Sequence, residues 1–252
     1  MNKLDPFIKQ KLGTKHKQST FDSLKISTAT LDVRMRDDVN INFVALFNLL
    51  KIYDGDDDGE NYPGKITGAK YAGKIRGKPP NTETKGFKNA TLIWIWLVEK
   101  KVNIKITCHN FHVTGCKSLT HAPEATRYLQ QHLQLISQSH KIFDIFPHAI
   151  RIDVHMNNYN FSLGVGISLP DFDIYIMENF NEFLFSAYDQ NIHKTSMTIR
   201  IPELQITYTV NDNGQISICA SEHDLQMTED NARKGHLAFY YVFEEYRKDL
   251  GI

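Results

Sequence analysis

The sequence predicts an α+β fold made of two copies of one unit, each an antiparallel sheet with helices on one face. Three observations predict it. Short segments alternate apolar and polar residues with period two, as half-buried strands do. These segments recur in the same order about 101 to 106 residues later, and each set runs into one long amphipathic segment with helical spacing. Alternating strands with helices gathered on one side leave the opposite face of the sheet open to solvent or a ligand.

The matched elements run in order. "ATLIWIW" (90–96) is answered by "SMTIRIP" (196–202), "NIKIT" (103–107) by "LQITY" (204–208), and "NFHVTGC" (110–116) by "GQISICA" (214–220). The predicted helices that follow are "APEATRYLQQHLQLIS" (122–137) and "TEDNARKGHLAFYYVFEEY" (228–246). Upstream, "LKISTATLDVRM" (24–35) reads as a strand leading into a helix at 40–53, where Phe43, Leu46, Phe47 and Leu50 share a face. In the second copy "YNFSLGVGISLP" (159–170) leads into a helix over 171–188, with Asp171 as its N-cap. These openings are about 135 residues apart, so the first copy carries an insertion, about 54–83. Its Gly, Pro and charge predict a surface loop outside the repeat core. The domain division is a basic tail at 1–22, a first repeat at 23–140 and a second at 141–252. In "NFHVTGCKSL" the alternation puts Asn110, His112 and Thr114 on one side and Phe111 and Val113 on the other, with Gly115 a tight bend before the helix.

Of the 252 residues 41% are hydrophobic and 23% charged, which suits a globular chain able to bury a core. No apolar run reaches the roughly 18 to 20 residues that span a bilayer, and the first residues lack the apolar core of a signal peptide. With only Cys108, Cys116 and Cys219 as thiols, the expectation is an intracellular protein in a reducing compartment, with no membrane partner. Charge is balanced overall but divided unevenly. Residues 1–125 hold 20 Lys+Arg against 13 Asp+Glu, a net +7, and 126–252 hold 9 against 16, a net −7. The first half suits a polyanion.

Several motifs fail their own chemistry. Asp54, Asp56, Asp58 and Gly59 begin a calcium loop, but its twelfth position is Lys65 where a bidentate Glu is needed. "GAKYAGKI" (68–75) ends in Ile75 where a phosphate-binding loop needs Ser or Thr for magnesium. Cys108, His112 and Cys116 lie four residues apart along an extended strand, roughly 13 Å per interval, which is too far for one zinc ion. No nucleophile–base arrangement or metal set is found, so no enzyme activity, metal or cofactor is expected.

The stretch "FKNATLIWIW…VNIKIT…NFHVTGCKS" followed by an amphipathic helix resembles the TATA-box-binding protein (TBP) family, most closely the divergent TBP-like proteins of large nucleocytoplasmic DNA viruses. The first copy keeps Phe87, Thr114-Gly115-Cys116-Lys117 and the helix. The second has Cys219-Ala220-Ser221-Glu222 at the matching hairpin end. The resemblance covers about 24–248 and implies a TBP-like saddle: two pseudo-symmetric repeats forming a curved antiparallel sheet, concave face in the DNA minor groove, helices on the convex face. Phe87 matches a wedge that unstacks a base step. The first copy's other wedge position falls on Ile106 or Thr107, and the second copy's positions fall near Lys194 and Tyr208. The central asparagine of the opening strand is Ile26 or Ser27 in the first copy and Asn160 in the second, and Arg200 matches a phosphate-contacting arginine.

The DNA-binding residues so implied are Phe87, Lys105, Thr107, Asn110, His112 and Thr114 in the first copy and Asn160, Arg200 and Tyr208 in the second. The function implied is that of a general transcription factor, binding AT-rich promoter DNA and recruiting a TFIIB-like factor and the RNA polymerase machinery for viral genes. The location implied is the host cytoplasm (a viral factory) or the virion, with the nucleus as the alternative. The net −7 of the second half favours another reading: a TBP-fold interaction platform or virion component with little sequence-specific DNA binding.

Overall fold

Alternation decides which side of each strand is buried. In the computed structural model, which describes Pro6 and residues 26–53, 63–78, 87–221 and 225–251, every second residue of the central strands is sealed from solvent. The calcium-loop residues Asp54–Gly59, and the 1–22 tail apart from Pro6, lie outside the described residues. Two compact units emerge: residues 28–155, and 156–252 together with the first 27 residues. The division falls at 155/156, not at the expected 140/141. One strand, β7 (Ala149–Ser162), runs through it.

In the first unit, β1 (Ile26–Met35), α1 (Phe43–Leu49), β2 (Ile66–Tyr71), β3 (Lys74–Gly77), β4 (Thr91–Trp96), β5 (Lys101–Ile106), β6 (Asn110–Cys116) and α2 (His121–Ser137) follow in order. The sheet order is β3-β2-β4-β5-β6-β1, antiparallel throughout. The second unit has α3 (Leu169–Asn179), β8 (Phe185–Ala187), β9 (Ser196–Ile201), β10 (Ile206–Asn211), β11 (Gln215–Ala220) and α4 (Leu225–Asp249), with the order β7-β11-β10-β9-β8. Apart from β3 the two orders correspond strand for strand. This is the α+β repeat the sequence predicts.

Each core lies between sheet and helices. In the first unit Leu31, Val33, Ile93, Ile95, Ile104, Phe111 and Val113 are fully buried, together with Ala122, Ala125, Leu129 and Leu133 of α2. In the second, Ile199, Ile201, Tyr208, Val210, Ile216 and Ile218 pack with Phe172 of α3 and Phe239, Val242 and Phe243 of α4. Each such side chain contributes roughly 1.5–3 kcal/mol on leaving water. Gly235 lets α4 lie close on β10, since a Cβ there would be 2.6 Å from the Tyr208 hydroxyl and 2.5 Å from Ile206 Cδ1.

Three local expectations are corrected. The 54–83 segment is not only a surface loop, because β2 pairs with β4 and buries Ile66 and Ala69 completely. The β3 side of this hairpin closes α1, as Arg76 Nη1 donates to the carbonyls of Phe47 and, at 2.9 Å, of Asn48. Gly64 has φ +86°, and the Tyr128 ring of α2 lies 2.7 Å from where its Cβ would be. Removing residues 58–80 would therefore take out part of the core. The helix expected at 171–188 starts earlier, after Ser168, with Asp171 in its first turn, and ends at Asn179. Phe185–Ala187 then forms the edge strand β8. Finally, Gly115 (φ +79°) does not end its strand. Register shifts there, with Val113 opposite Leu31 but Cys116 opposite Ala29, so Thr114 and Gly115 form a bulge within β6.

Candidate nucleic-acid interface

Residues directly opposite one another in adjacent strands share a face. In the first unit one rung of the open face runs Lys70–Leu92–Lys105–His112–Asp32 across β2, β4, β5, β6 and β1. The next runs Gly68–Trp94–Asn103–Thr114. Beyond them Trp96 lies opposite Lys101, and Asn110 opposite Arg34. Lys101 Nζ sits 5.0 Å from the centre of the Trp96 ring and Lys105 Nζ 4.1 Å from that of Phe87, so two cations rest on aromatic faces of this surface. Phe87 is 48% exposed, and its carbonyl accepts from the Ala72 amide (3.2 Å), which holds it beside the β2–β3 turn.

Two acids occupy strands of this unit, and both are paired. Asp32 Oδ1 lies 2.5 Å from His112 Nδ1. Burial alone would push the Asp32 carboxyl up, but the hydrogen bond from His112 and the charges of His112, His155 and Arg34 leave it below the usual range. Asp153 accepts from Arg34 Nε (3.2 Å) and Arg151 Nε (2.7 Å) and is likewise held low against its burial.

In the second unit the open face is composed differently. Asn160 lies opposite Ser217 and Asn158 opposite Cys219, then Thr209 opposite Thr198 and Thr207 opposite Arg200. Residues 156–252 hold 14 Asp+Glu against 6 Lys+Arg, yet no acid lies in β8–β11 or in 156–162 of β7. The described acids stand on helices and connections instead. Phe185, 54% exposed, lies opposite Arg200 at the sheet edge.

The sequence-derived residues thus divide. Phe87, Lys105, His112 and Thr114 share the open face of the first unit, and Asn160 and Arg200 that of the second. Thr107 and Asn110 flank the β5–β6 turn and are occupied in holding it: Thr107 Oγ1 bonds Asn110 Oδ1 (2.6 Å) and accepts the amides of His109 and Asn110. Ile106 is fully buried, which leaves Thr107 as the open-face alternative of that pair. Tyr208 must be withdrawn as a DNA contact. It points into the helix-side core, fully buried and stacked on Phe239 at 4.9 Å. Lys194 lies in the connection between β8 and β9, just before β9 as Phe87 lies before β4, and Phe185 stands at the sheet edge. Sequence reasoning missed Phe185, Trp94 and Trp96, although the alternation of "TLIWIW" already sets both tryptophans apart from Ile93 and Ile95. His112 and Cys116 lie on opposite faces, the latter buried with its thiol pushed up to about 12 by desolvation.

The solved structure of Methanococcus jannaschii TBP is similar to this chain, with a TM-score of 0.53 over 88% of this chain and 98% of that one, at 14% sequence identity. The fold is TBP-like. No family model matches the sequence, and no curated protein does.

Proposed function

We propose that this chain binds duplex DNA in the minor groove through the open strand faces of its two units and acts as a TBP-like factor in transcription initiation. The observation that carries this reading is the placement of charge. The strands of 156–252 exclude every acid of a strongly acidic segment, and the two strand acids of the first unit are both paired, Asp32 with His112 and Asp153 with Arg34 and Arg151. A surface meant for protein partners has no reason to be so purged. A surface meant for phosphates does, because repulsion from even one unpaired carboxylate opposes the counterion release that drives DNA affinity.

Chemistry of the faces supports the groove assignment. Small Thr, Ser and Asn side chains fit a narrow floor, and exposed Phe87, beside the β2–β3 turn, and Phe185, at the sheet edge, suit insertion between base steps, which bends the duplex. Lys101 and Lys105 supply phosphate contacts. AT-rich promoters, a TFIIB-like factor, the polymerase machinery, a viral origin and action in the host cytoplasm belong to this same reading. The acids of α3 and α4 lie off the open face and remain available to protein partners while DNA is held. A titration of AT-rich and GC-rich duplexes between 50 and 300 mM salt tests the proposal. Binding that weakens steeply with salt and favours the AT-rich duplex supports it, and absence of salt-dependent binding refutes it.

A further inference from the structure

Trp94 and Trp96 are the two tryptophans of the chain, and both stand on the open side of β4. Ile93 and Ile95, which alternate with them, are fully buried, whereas the two indoles stay partly exposed. The packed side of this strand thus belongs to the isoleucines, and core packing does not account for the tryptophans. Cations and a third ring stand around them. Lys101, opposite Trp96, brings Nζ to 5.0 Å from the centre of that ring, and Lys105 brings Nζ to 4.1 Å from that of Phe87. The two acids in strands of this unit are each paired, Asp32 with His112 and Asp153 with Arg34 and Arg151, so neither stands bare beside these rings.

Aromatic rings flanked by lysines on a helix-backed sheet suit unpaired bases, because a ring takes the face of a base while a cation takes its phosphate. Spacing separates this ligand from a duplex. Residues two apart on a strand stand roughly 6.6 Å apart, about twice the roughly 3.4 Å between successive nucleotides along one strand of B-DNA. The bases of a duplex are also stacked on one another and turn only their edges to a groove. Neighbouring indoles of β4 therefore cannot take the faces of successive bases in a paired helix, but they can take those of a strand whose bases are splayed. We propose that the open face of the first unit is a binding site for single-stranded DNA, with Trp94, Trp96 and Phe87 as base-stacking platforms and Lys101 and Lys105 as phosphate contacts. This site goes beyond duplex binding, and it rests on that reading only in taking the strand to be DNA.

Because both tryptophans lie on this face, their emission reports the site without a label. Full-length protein is titrated with oligo(dT), with oligo(U) and with a duplex of the same length closed at both ends by hairpins, at constant pH and salt. Tryptophan emission is followed beside the anisotropy of labelled strands. Oligo(dT) is expected to quench the emission at saturation more strongly than the closed duplex does. Trp94→Ala and Trp96→Ala should each weaken oligo(dT) binding by about fivefold to a hundredfold, the worth of one stacked base, and weaken duplex binding less. Trp94→Phe and Trp96→Phe should recover most of that loss. Emission unmoved by saturating oligo(dT), or alanine variants that lower both affinities equally, overturns the proposal. Oligo(U) bound more tightly than oligo(dT) overturns the assignment to DNA. If the duplex binds and oligo(dT) does not, this site alone falls, whereas oligo(dT) binding without duplex binding supports it and overturns the minor-groove reading. Should the alanine variants fail to fold, the two indole Nε1–H resonances of the unaltered protein decide. Both should shift on adding oligo(dT), and two unmoved resonances contradict the proposal.

Discussion

The two open faces are built on the same strand order and carry different chemistry. In the first unit the open side carries Arg34, Lys101, Lys105 and Arg151, with Trp94 and Trp96 between them and two paired acids, whereas Lys70 is buried and Arg76 is taken up by the end of α1. In the second, Arg200 is the one cation among strand residues 156–162 and β8–β11, set in Asn, Ser and Thr. The buried faces are alike in kind, mostly Ile and Val in both, with Leu31 and Phe111 in the first and Met197 and Tyr208 in the second, each packed under one long helix and one shorter one. Packing thus fixes the repeat, while the solvent side of the same strands is free to diverge. The first face is suited to phosphate attraction and stacking, the second to lying close against a groove floor.

The largest expected effect breaks the symmetry through the core rather than the surface. His236 is buried in α4 of the second unit, and desolvation lowers its pKa from 6.5 to about 4. The unfolded chain takes up this proton near pH 6.5 while the folded one resists until about pH 4, so stability falls as pH drops through that window. The loss approaches about 3 kcal/mol by pH 4. Urea unfolding at pH 7 and pH 4.5 should show the decline, and His236→Gln should flatten it whatever it costs at neutral pH.

Next come the two exposed phenylalanines. Phe87→Ala and Phe185→Ala should each weaken DNA binding by about 1–3 kcal/mol and reduce bending measured by fluorescence transfer between duplex ends. If only Phe87→Ala reduces bending, the second face touches DNA without wedging it. Smaller again is the charge contrast. Lys101→Ala with Lys105→Ala should lower the slope of log affinity against log salt by about 2, and Arg200→Ala by about 1 and equally for all sequences. Equal slopes for the two halves would erase the difference argued here. The smallest effect belongs to Tyr208→Phe. Its hydroxyl is buried with no hydrogen-bond partner among the described residues, so its loss should change stability by less than about 1 kcal/mol and leave DNA affinity untouched.

Much of this fold was legible because period-two alternation and repeat order are properties of the chain itself. The strands from Thr91 to Cys116 and from Ser196 to Ala220 follow directly from them. What stayed hidden depends on pairing between distant segments. "ITGAKY" reads as loop until β4 is laid beside it and its Ile66 and Ala69 are covered. Phe185 was absorbed into a helix whose apolar spacing continues past Asn179 in the sequence, though the helix itself stops there. Tyr208 was misplaced by one residue of register, which in a strand exchanges the faces. The Asp32–His112 pair joins residues 80 apart through the β1–β6 register, which no local pattern encodes.

The central claim, that the open faces meet DNA in the minor groove, is tested most directly by replacing the A·T pairs of a bound AT-rich duplex with inosine·cytosine. An I·C pair lacks the guanine amino group, so its minor groove offers acceptors alone, as A·T does, while its major groove resembles G·C. The account predicts that I·C duplexes bind within about threefold of A·T duplexes, and that G·C duplexes bind at least about tenfold more weakly. I·C duplexes binding as poorly as G·C would contradict it, because the protein would then be reading the major groove.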